Sequence, residues 1–336
     1  MFRRWDTVNR MDVWVGSYTP ATGGNGAGIS TFLRAPDGTL TPDRELPMLS
    51  PSWLTAHPSA PVVYAANESG DGVITTVSAD LQVLGATSSG GADPCHLAVS
   101  ADARHLLCSN YSSGSLSVFA LAEDGRITGQ TDLVRHEGNG PHKERQEAAH
   151  VHMAVVRDRI VSVVDLGTDE IRSYELMENG KLDPLSVSAM PAGSGPRQLV
   201  RRPGSDLAYV VGEVNGTLIV VRETTPGTFT PVTVVPATKE TWTGDAPNWV
   251  AHLELAGDRL YLSNRNPDVI TEFDLTGETP VALADHPSGA WPRHFAIAGG
   301  TVYVAAQRDD AVVAFPAGGG AAVRYPSGTP TCVLVR

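Results

Sequence analysis

The stretch VVYAANE (residues 62–68) decides the fold, because variants of it recur along the chain. A short apolar run that ends in a polar or bulky residue occurs seven times, as VWVGSY (13–18), VVYAANE (62–68), LLCSNY (106–111), VSVVDL (161–166), AYVVGE (208–213), LYLSNR (260–265) and VYVAAQ (302–307). Their last residues are 50, 43, 55, 47, 52 and 42 positions apart, a period near 48. Such a repeat indicates an array of equivalent structural units.

Each run has one strand-like segment before it and another after it. In the fourth unit, HVHMAVV (150–156) precedes VSVVDL and EIRSYEL (170–176) follows it, and a more variable fourth segment leads to the next unit. Four short strands in about 40 to 50 residues, separated by Gly, Asn and Asp turns, are typical of a β-propeller blade. The sequence therefore predicts an all-β protein, a seven-bladed β-propeller.

The two ends of the chain indicate how the ring closes. The first unit lacks a preceding strand, and the tail TPTCVLVR (329–336) is a strand with no unit after it. We expect this C-terminal strand to complete the N-terminal blade, which removes an exposed sheet edge. Residues 1–336 then form a single domain, with 1–11 as an N-terminal extension. Two unrelated β-sandwiches are disfavoured, because the period crosses the midpoint without a break.

Composition narrows the choice of partners. The chain has a formal net charge of −12 and no Lys/Arg cluster, which disfavours nucleic acid and anionic membrane surfaces as partners. No apolar run approaches the roughly 18 residues needed to span a bilayer. We expect a small-molecule anionic substrate, and a chain that is a monomer or a weak homo-oligomer.

The cysteines and the N-terminus bear on localisation. Cys95, Cys108 and Cys332 are an odd number without a CxxC pair, so neither a disulfide framework nor a zinc knuckle is expected. The opening MFRRWDTVNRM has no apolar core of the kind found in secretory signals. A reducing cytoplasm is the expected location, and Met11 is a candidate for the natural start.

One mouth of the predicted channel concentrates the polar side chains. In a blade, the innermost strand begins where its antiparallel neighbour ends, so these positions lie at the same mouth. The residues placed there are Trp53, His96, His150, His152, Arg197, Trp249 and Arg293 from strand starts, and Tyr18, Glu68, Tyr111, Asp165, Glu213, Arg265 and Gln307 from strand ends. The turns at the opposite end carry ordinary turn residues, so the first mouth is the predicted functional one.

The stretch GPHKERQEAAHVH (140–152) is an insertion at this mouth and accounts for the longest spacing. In an extended chain His150 and His152 point to the same side, so both are expected to face the channel. Hydrogen bonding of either ring to neighbouring loops is the alternative. A metal site with His142 or Glu147 as further ligands is disfavoured, because no second cluster of ligand residues accompanies the pair. We expect no metal and no cofactor.

Arg197, Glu213 and Arg265 fall at equivalent positions of adjacent blades. Two guanidinium groups at one mouth favour a carboxylate or phosphate ligand, because each offers a forked set of donors. A glutamate between them is a candidate base or, if desolvated, an acid. The alternative is an Arg–Glu–Arg ion network that braces the blades, and the two interpretations are compatible.

These residues resemble the lactonase-type seven-bladed propellers, the family that includes cytosolic 6-phosphogluconolactonase and the fungal carboxymuconate lactonizing enzyme. The resemblance spans essentially the whole chain and is carried by VGSYT (15–19), PSWLTAHP (51–58), ERQEAAHVH (144–152), VVDLGTD (163–169), GSGPRQL (193–199), VVGEV (210–214), YLSNR (261–265) and WPRHF (291–295). It implies a site at the channel mouth, with roles for His150 or His152, Arg197, Glu213 and Arg265.

The chain departs from the family pattern beside three of these residues. Family members usually have Asn and Leu around the glutamate, where this chain has Gly212 and Val214, and His after the first arginine, where it has Gln198. After the second arginine, Asn266-Pro267 replaces the usual Gly-His. The candidate site is kept, and the substrate is left more open than its location.

The resulting hypothesis is a metal-independent lactone hydrolase acting on an anionic sugar lactone, with 6-phosphogluconolactone as the leading substrate. The assigned catalytic residues are His150, Glu213, Arg197 and Arg265, and the assigned substrate-binding residues are His152, Arg293, Glu68, Tyr111, Trp249 and Gln307. In this hypothesis the arginines bind the phosphate or polarise the carbonyl, and His150 or Glu213 deprotonates water.

Three alternatives stay open. A cycloisomerase would close a lactone by adding a carboxylate across a double bond, with Glu213 or His150 moving the proton. A non-catalytic propeller would present exposed tryptophans, namely Trp53, Trp242, Trp249 and Trp291, to a protein partner. A metal-dependent propeller lactonase would lose its activity on chelation.

Overall fold

Within residues 11–336, twenty-eight short β-strands make up seven antiparallel sheets of four strands each, and the sheets are the blades of a closed ring. A computed structural model describes residues 11–336. Residues 1–10, which form most of the expected N-terminal extension (1–11), lie outside this range, and Met11 begins the first strand.

The first four blades are formed as follows. Blade 1 consists of β1 (Met11–Ser17), β2 (Gly28–Arg34), β3 (Leu40–Pro47) and, as its innermost strand, β28 (Pro330–Val335). Blade 2 consists of β4 (Pro51–Ala56), β5 (Val62–Asn67), β6 (Val73–Ser78) and β7 (Val83–Ser88). Blade 3 consists of β8 (Pro94–Val99), β9 (His105–Asn110), β10 (Ser115–Leu121) and β11 (Ile127–Arg135). Blade 4 consists of β12 (Val151–Arg157), β13 (Ile160–Asp165), β14 (Glu170–Leu176) and β15 (Leu182–Ala189).

The remaining three blades complete the ring. Blade 5 consists of β16 (Pro196–Arg201), β17 (Leu207–Gly212), β18 (Thr217–Thr225) and β19 (Thr228–Pro236). Blade 6 consists of β20 (Trp249–Ala256), β21 (Arg259–Arg265), β22 (Val269–Asp274) and β23 (Val281–Pro287). Blade 7 consists of β24 (Pro292–Ala298), β25 (Thr301–Ala306), β26 (Ala311–Pro316) and β27 (Val323–Pro326).

The C-terminal strand closes the ring. β28 pairs with β1 in antiparallel register, with Val15 opposite Val333 and Val13 opposite Val335. The strand that ends the chain therefore becomes the innermost strand of the blade that the N-terminus begins, which confirms the predicted closure and the predicted number of blades.

The apolar core is divided among the blade interfaces. Within residues 11–336 there are seven buried hydrophobic clusters, one between each pair of neighbouring blades. Between blades 5 and 6, for example, Tyr209 and Val211 of β17 pack against Val250 and Leu262. The second strands of the blades, such as β5, β9 and β17, are buried along their whole length because both of their faces contact a neighbouring blade.

A β-bulge recurs near the first residue of all seven inner strands. In blade 3, Pro94 lies opposite Asn110 and His96 lies opposite Ser109, which leaves Cys95 without a cross-strand partner. His152 and Arg293 occupy the same bulge position in blades 4 and 7. Bulges break the simple alternation of side chains and re-aim a residue, and here they do so at one mouth of the channel.

Two connections between blades are long, and both lie at this mouth. Residues 136–150 join β11 to β12 and residues 237–248 join β19 to β20, fifteen and twelve residues against three to six for the other connections. We call residues 136–150 the mouth insertion. The two helical segments of the described chain are three-residue 3-10 turns, and neither is long enough to cross a membrane.

Candidate active site

A cavity of about 140 Å³ lies at the mouth where the inner strands begin. Its lining is strongly polar and comes from six of the seven blades. The lining residues are Glu68, Cys95, Tyr111, Arg145, His152, Arg197, Glu213, Arg265 and Arg293. Those from inner strands, namely Cys95, His152, Arg197 and Arg293, are bulge residues, so the recurring bulge delivers side chains to the cavity.

Glu213 is the centre of a charge network in this cavity. Its Oε1 atom lies 2.5 Å from Arg145 Nη2. Its Oε2 atom lies 2.8 Å from Arg197 Nε and 3.0 Å from Arg265 Nη2. The Glu213 side chain is 2% exposed, and its three partners come from blades 5 and 6 and the mouth insertion. The network therefore binds several blades together as well as lining the cavity.

Positive charge exceeds negative charge in the cavity. Four guanidinium groups face two carboxylates, so two positive charges are uncompensated in a chain whose formal net charge is −12. Burial acts to raise the pKa of Glu213, but attraction to its three arginines outweighs burial and lowers that pKa. Burial lowers the pKa of Arg265 to about 9, which still leaves the group charged at neutral pH. The cavity suits an anion.

Two of the guanidinium groups keep unused donors. Arg197 Nε lies close to Glu213, but its N–H does not point at the carboxylate, and this buried atom has no hydrogen-bond acceptor among the described residues. Arg145 Nε is likewise buried without an acceptor in residues 11–336. Unsatisfied buried donors are costly, and both guanidinium groups belong to residues that line the cavity.

A second, simpler ion pair lies on the other side of the cavity. Arg293 Nη2 lies 3.2 Å from Glu68 Oε2, and the Tyr18 hydroxyl donates to Glu68 Oε1 at 2.6 Å. The Arg293 guanidinium carbon also lies 5.0 Å from the centre of the Tyr18 ring. Each charge in this pair has an opposite charge beside it, so the surplus positive charge belongs to the Glu213 side.

His152 is the imidazole on the cavity wall. Burial and repulsion from Arg197 and Arg293 lower its pKa well below the usual value, so the ring is neutral at physiological pH. Its Nδ1 atom lies 3.9 Å from Cys95 Sγ. Burial raises the pKa of the Cys95 thiol, which therefore stays protonated. A neutral imidazole beside an anion site is able to accept a proton.

His150 does not line the cavity, contrary to the expectation that both histidines face the channel. Its ring stacks on Tyr111 with centroids 4.3 Å apart, and its Nε2 atom lies 3.1 Å from Glu147 Oε1. The bulge between Val151 and Met153 is the reason, because it removes the alternation that would place both rings on one side. The geometry favours His152 over His150 as the group that contacts a ligand.

Two further residues assigned to substrate binding, Trp249 and Gln307, are not among the residues that line the cavity. The Trp249 ring supports the Arg145 guanidinium, whose carbon lies 4.4 Å from the ring centre. Gln307 lies in a 3-10 turn, and its amide oxygen is buried without a partner among the described residues. Glu68, Tyr111 and the remaining assigned residues do line the cavity.

Arg145 and Cys95 line the cavity and were absent from the assigned set. Arg145 lies within ERQEAAHVH, so the charge of the insertion was a signal, but the path of a fifteen-residue connection does not follow from the repeat. Cys95 directly precedes His96, and the bulge moves the lining position back by one residue.

Below the cavity the channel is filled by aromatic rings that pack against one another in tilted and edge-on arrangements. The His96 and His294 rings contact Trp53, at centroid distances of 4.4 and 4.9 Å, and His252 lies 3.8 Å from His294. Burial and repulsion from Arg197 lower the pKa of His96 and that of His294 to about 3. His96 and Trp53 are thus part of a neutral plug beneath the mouth.

The tryptophans bear on the interaction-protein alternative. Of the four expected at an exposed mouth, Trp242 is exposed at 38%, whereas Trp53, Trp249 and Trp291 are only partly exposed. Trp291 carries the guanidinium of Arg308 at 3.5 Å from its ring centre. A continuous exposed aromatic face is therefore not formed by these four side chains.

The described residues contain no group of three or more His, Cys, Asp or Glu side chains arranged to hold a metal ion. His150 and His152 have different surroundings, because one ring faces Glu147 and the other faces Cys95. The metal independence of the chemistry remains a prediction.

Comparisons with known proteins agree with the fold. The 6-phosphogluconolactonase of Bacillus subtilis is 29% identical over 83% of each chain. A crystal structure of a putative 6-phosphogluconolactonase from Bacteroides fragilis superposes with a TM-score of 0.87 at 26% identity, covering 99% of this chain and all of that one. The periplasmic gluconolactonase of Pseudomonas aeruginosa shares the fold, with a TM-score of 0.88 at 24% identity over 97% of this chain and 99% of that one. The model of the seven-bladed β-propeller lactonases matches residues 12–320, and the chain belongs to that family.

Proposed function

We propose that this protein hydrolyses an anionic sugar lactone, with 6-phosphogluconolactone as the best single candidate. The observation that carries the proposal is the cavity at the channel mouth, where four guanidinium groups and a neutral imidazole surround two carboxylates. The relative from Bacillus subtilis, which carries the name 6-phosphogluconolactonase, supports the choice of substrate.

The reaction needs a proton acceptor for the attacking water, and we assign that role to His152. Its ring is neutral and has no strong hydrogen bond to the described residues, Cys95 Sγ being its nearest polar contact at 3.9 Å. Water attacks the lactone carbonyl while His152 takes one of its protons. The same proton is then returned to the ring oxygen, which leaves as an alcohol when the C–O bond of the tetrahedral intermediate breaks.

The arginines stabilise the negative charge that develops on the carbonyl oxygen. Arg197 is the best placed of them, because its buried side chain lines the cavity and its charge acts on the His152 ring. Preorganised donors of this kind stabilise the tetrahedral intermediate of acyl transfer.

Glu213 acts by positioning the arginines. Both oxygens of its carboxylate are paired with guanidinium groups, so the assignment of water deprotonation to Glu213 is replaced by His152. The negative charge of the Glu213 carboxylate holds the three positively charged guanidinium groups close together in one small cavity.

The experiment is a panel of lactones, with and without a phosphate group, followed by mass spectrometry in the presence and absence of a chelator. Sugar lactones hydrolyse spontaneously, so the uncatalysed rate is subtracted from each measured rate. The variant Arg197→Gln, purified in the same way as the parent, is measured beside it. We expect a product that has gained one water, formed at the same rate with chelator.

Three outcomes would replace the proposal. A product isomeric with its substrate would indicate the cycloisomerase. Loss of activity on chelation that a metal restores would indicate the metal-dependent class. No turnover of any lactone by a folded protein would refute the hydrolase.

A further inference from the structure

Arg145 differs from the other arginines of the cavity in origin and in exposure. It comes from the mouth insertion rather than from a blade strand. Its side chain is 26% exposed, against 5% for Arg197, 6% for Arg265 and 18% for Arg293. Arg145 therefore forms the outer edge of the cavity, where the part of a substrate remote from the reacting carbonyl would lie.

We propose that Arg145 is the specificity-determining residue of the site, which selects lactones that carry a phosphate group. The proposal rests on the proposed function, because it assumes that the cavity at the channel mouth is the substrate site. It assigns the lactone carbonyl to the deep end, beside His152 and Arg197, and the phosphate to the outer end, beside Arg145.

The surplus positive charge of the cavity lies on the side of Arg145. Arg293 is matched by Glu68, whereas Glu213 is shared by three guanidinium groups. The two uncompensated positive charges therefore lie on the side of the cavity that Arg145 closes. A phosphate monoester carries a charge of about −1.5 to −2 at neutral pH, which matches this surplus.

The Arg145 guanidinium keeps N–H groups that its contact with Glu213 does not use. Its Nη2 atom contacts Glu213, and its Nε atom is buried without an acceptor in the described range. The guanidinium plane rests on the Trp249 ring at 4.4 Å, which fixes its orientation. A planar guanidinium with free N–H groups is suited to the two-pronged contact that phosphate oxygens accept.

Hydrogen bonds of the mouth insertion hold Arg145 in place. The neighbouring Gln146 is fully buried and donates to Leu166 O at 2.9 Å and to Asp169 Oδ1 at 2.8 Å. Asp169 Oδ1 also accepts from the Gly195 N–H at 2.8 Å, two residues before Arg197. One carboxylate thus ties the Arg145 segment to the Arg197 strand, and the two guanidinium groups are preorganised together.

The insertion is also packed closely against blade 4. A side chain at Gly167 would bring its Cβ atom within 1.8 Å of the Ala148 carbonyl oxygen. Only glycine allows the turn after β13 to approach the insertion this closely. The segment that carries Arg145 is a fixed wall of the site.

The test compares the equilibrium binding of two product acids, 6-phosphogluconate and gluconate, by calorimetry. The proteins are the parent, Arg145→Gln, Arg145→Lys and the control Arg157→Gln, which removes an arginine from the unrelated Glu223 ion pair. We expect the parent and the control to bind the phosphorylated acid at least about tenfold more tightly. Arg145→Gln should reduce this ratio to near one, and Arg145→Lys should restore only part of it, because an ammonium lacks the fork.

Turnover gives a second, parallel measurement. In Arg145→Gln, kcat/KM for 6-phosphogluconolactone should fall by at least about tenfold more than kcat/KM for gluconolactone. A purely structural role would lower both values together, and the melting temperature of each variant reports that effect separately.

The outcomes separate this proposal from the proposed function. If no lactone is turned over, the hydrolase is refuted, while the binding ratio still reports on Arg145. An unchanged ratio in Arg145→Gln, or no preference for the phosphorylated acid in the parent, would overturn the assignment of Arg145 and leave the hydrolase standing.

Discussion

The two ends of one strand carry the same chemistry for different purposes. Arg197 is the second residue of β16 and lies at the channel mouth. Arg201 is the last residue of β16 and lies at the opposite end. Arg197 pairs with Glu213, and Arg201 pairs with Glu223. Both carboxylates are buried, and each is shared by more than one guanidinium group.

In the Glu223 network, both oxygens of the carboxylate are paired with donors of the protein. Arg201 Nε and Arg157 Nη1 each lie 2.8 Å from Glu223 Oε2, and the Gly227 N–H donates to Oε1 at 2.7 Å. The Arg201 guanidinium rests on the Phe229 ring at 5.2 Å. Burial acts to raise the pKa of Glu223, and hydrogen bonds from Arg201 and Gly227 outweigh it and lower that pKa. This is a brace between blades.

The Glu213 network differs from the Glu223 network because it lines a cavity. Arg201 Nη1 also lacks an acceptor among the described residues, so an unused donor alone does not mark a site. At the mouth, unused donors coincide with a cavity of about 140 Å³ and a neutral His152. The coincidence of free donors, space and a proton acceptor distinguishes a candidate active site from a structural ion network.

The largest expected effect concerns the imidazole that only one of the two networks has. His152→Gln should lower kcat for 6-phosphogluconolactone by about 10²–10⁴-fold, because general-base assistance is lost. His286→Gln, which removes a histidine 3.1 Å from Glu272 in blade 6, is the control and should leave kcat unchanged. Equal effects of the two substitutions would remove the proposed role of His152.

The second largest effect is expected when a guanidinium is replaced by an ammonium group, which keeps the positive charge but loses the forked pair of donors. Arg197→Lys should lower kcat/KM at least about tenfold, because an ammonium cannot reproduce the directed donors of a guanidinium. Arg201→Lys should leave kcat/KM within about twofold, because its network only braces the fold. Steady-state kinetics of both variants on one lactone make the comparison, and a matching loss in both would mean that the two ends of β16 are not functionally distinct.

Acid stability gives a smaller effect, specific to the mouth. The histidines beneath the Glu213 network are neutral, with the pKa of His294 lowered to about 3, whereas the unfolded value is about 6.5. Below pH 6.5 the unfolded chain therefore binds more protons, and the free energy of unfolding falls as the pH falls from 6.5 towards 3. Each such histidine costs about 1.4 kcal/mol at pH 5.5.

Urea unfolding at pH 7.5 and pH 5.5 measures this effect. In His294→Gln the loss of stability between the two pH values should be smaller by about 1.4 kcal/mol than in the parent. Arg201→Gln should show the same pH-dependent loss as the parent, because no histidine contacts its guanidinium. An unaltered loss in His294→Gln would mean that this ring is protonated in the folded protein.

The smallest effect is expected at the exposed edge of the Glu223 network. The Arg157 side chain is 43% exposed, so water screens its pairing with Glu223. Arg157→Lys should change the free energy of unfolding by less than about 1 kcal/mol and leave kcat/KM unchanged. A loss of several kcal/mol would show that the brace depends on the forked contact.

The fold followed from the sequence because the repeat specifies it. Seven apolar runs with a period near 48 set the number of blades, and the tail at 329–336 indicated the closure. The ends of second strands are also regular, so Glu68, Tyr111, Glu213 and Arg265 were placed correctly at the mouth. Position along a strand is a periodic property and is readable without side-chain contacts.

The details of the site followed less well, for two physical reasons. The bulge near the start of each inner strand interrupts the alternation, which moved the lining position from His150 to His152 and from His96 to Cys95. The mouth insertion has no repeat to define its path, so Arg145 was not assigned. Nor could the sequence reveal that Glu213 is saturated by three arginines, since those contacts join separate blades.

The most direct test of the central claim is kcat/KM on 6-phosphogluconolactone beside the melting temperature, for Arg197→Gln and Arg201→Gln. Both substitutions remove one guanidinium from the same strand and from a buried carboxylate. We predict that Arg197→Gln lowers kcat/KM about 10- to 150-fold, whereas Arg201→Gln lowers the melting temperature and leaves kcat/KM within about twofold. If Arg197→Gln instead keeps its catalytic efficiency and lowers only the melting temperature, the Glu213 network is a second brace and the site lies elsewhere.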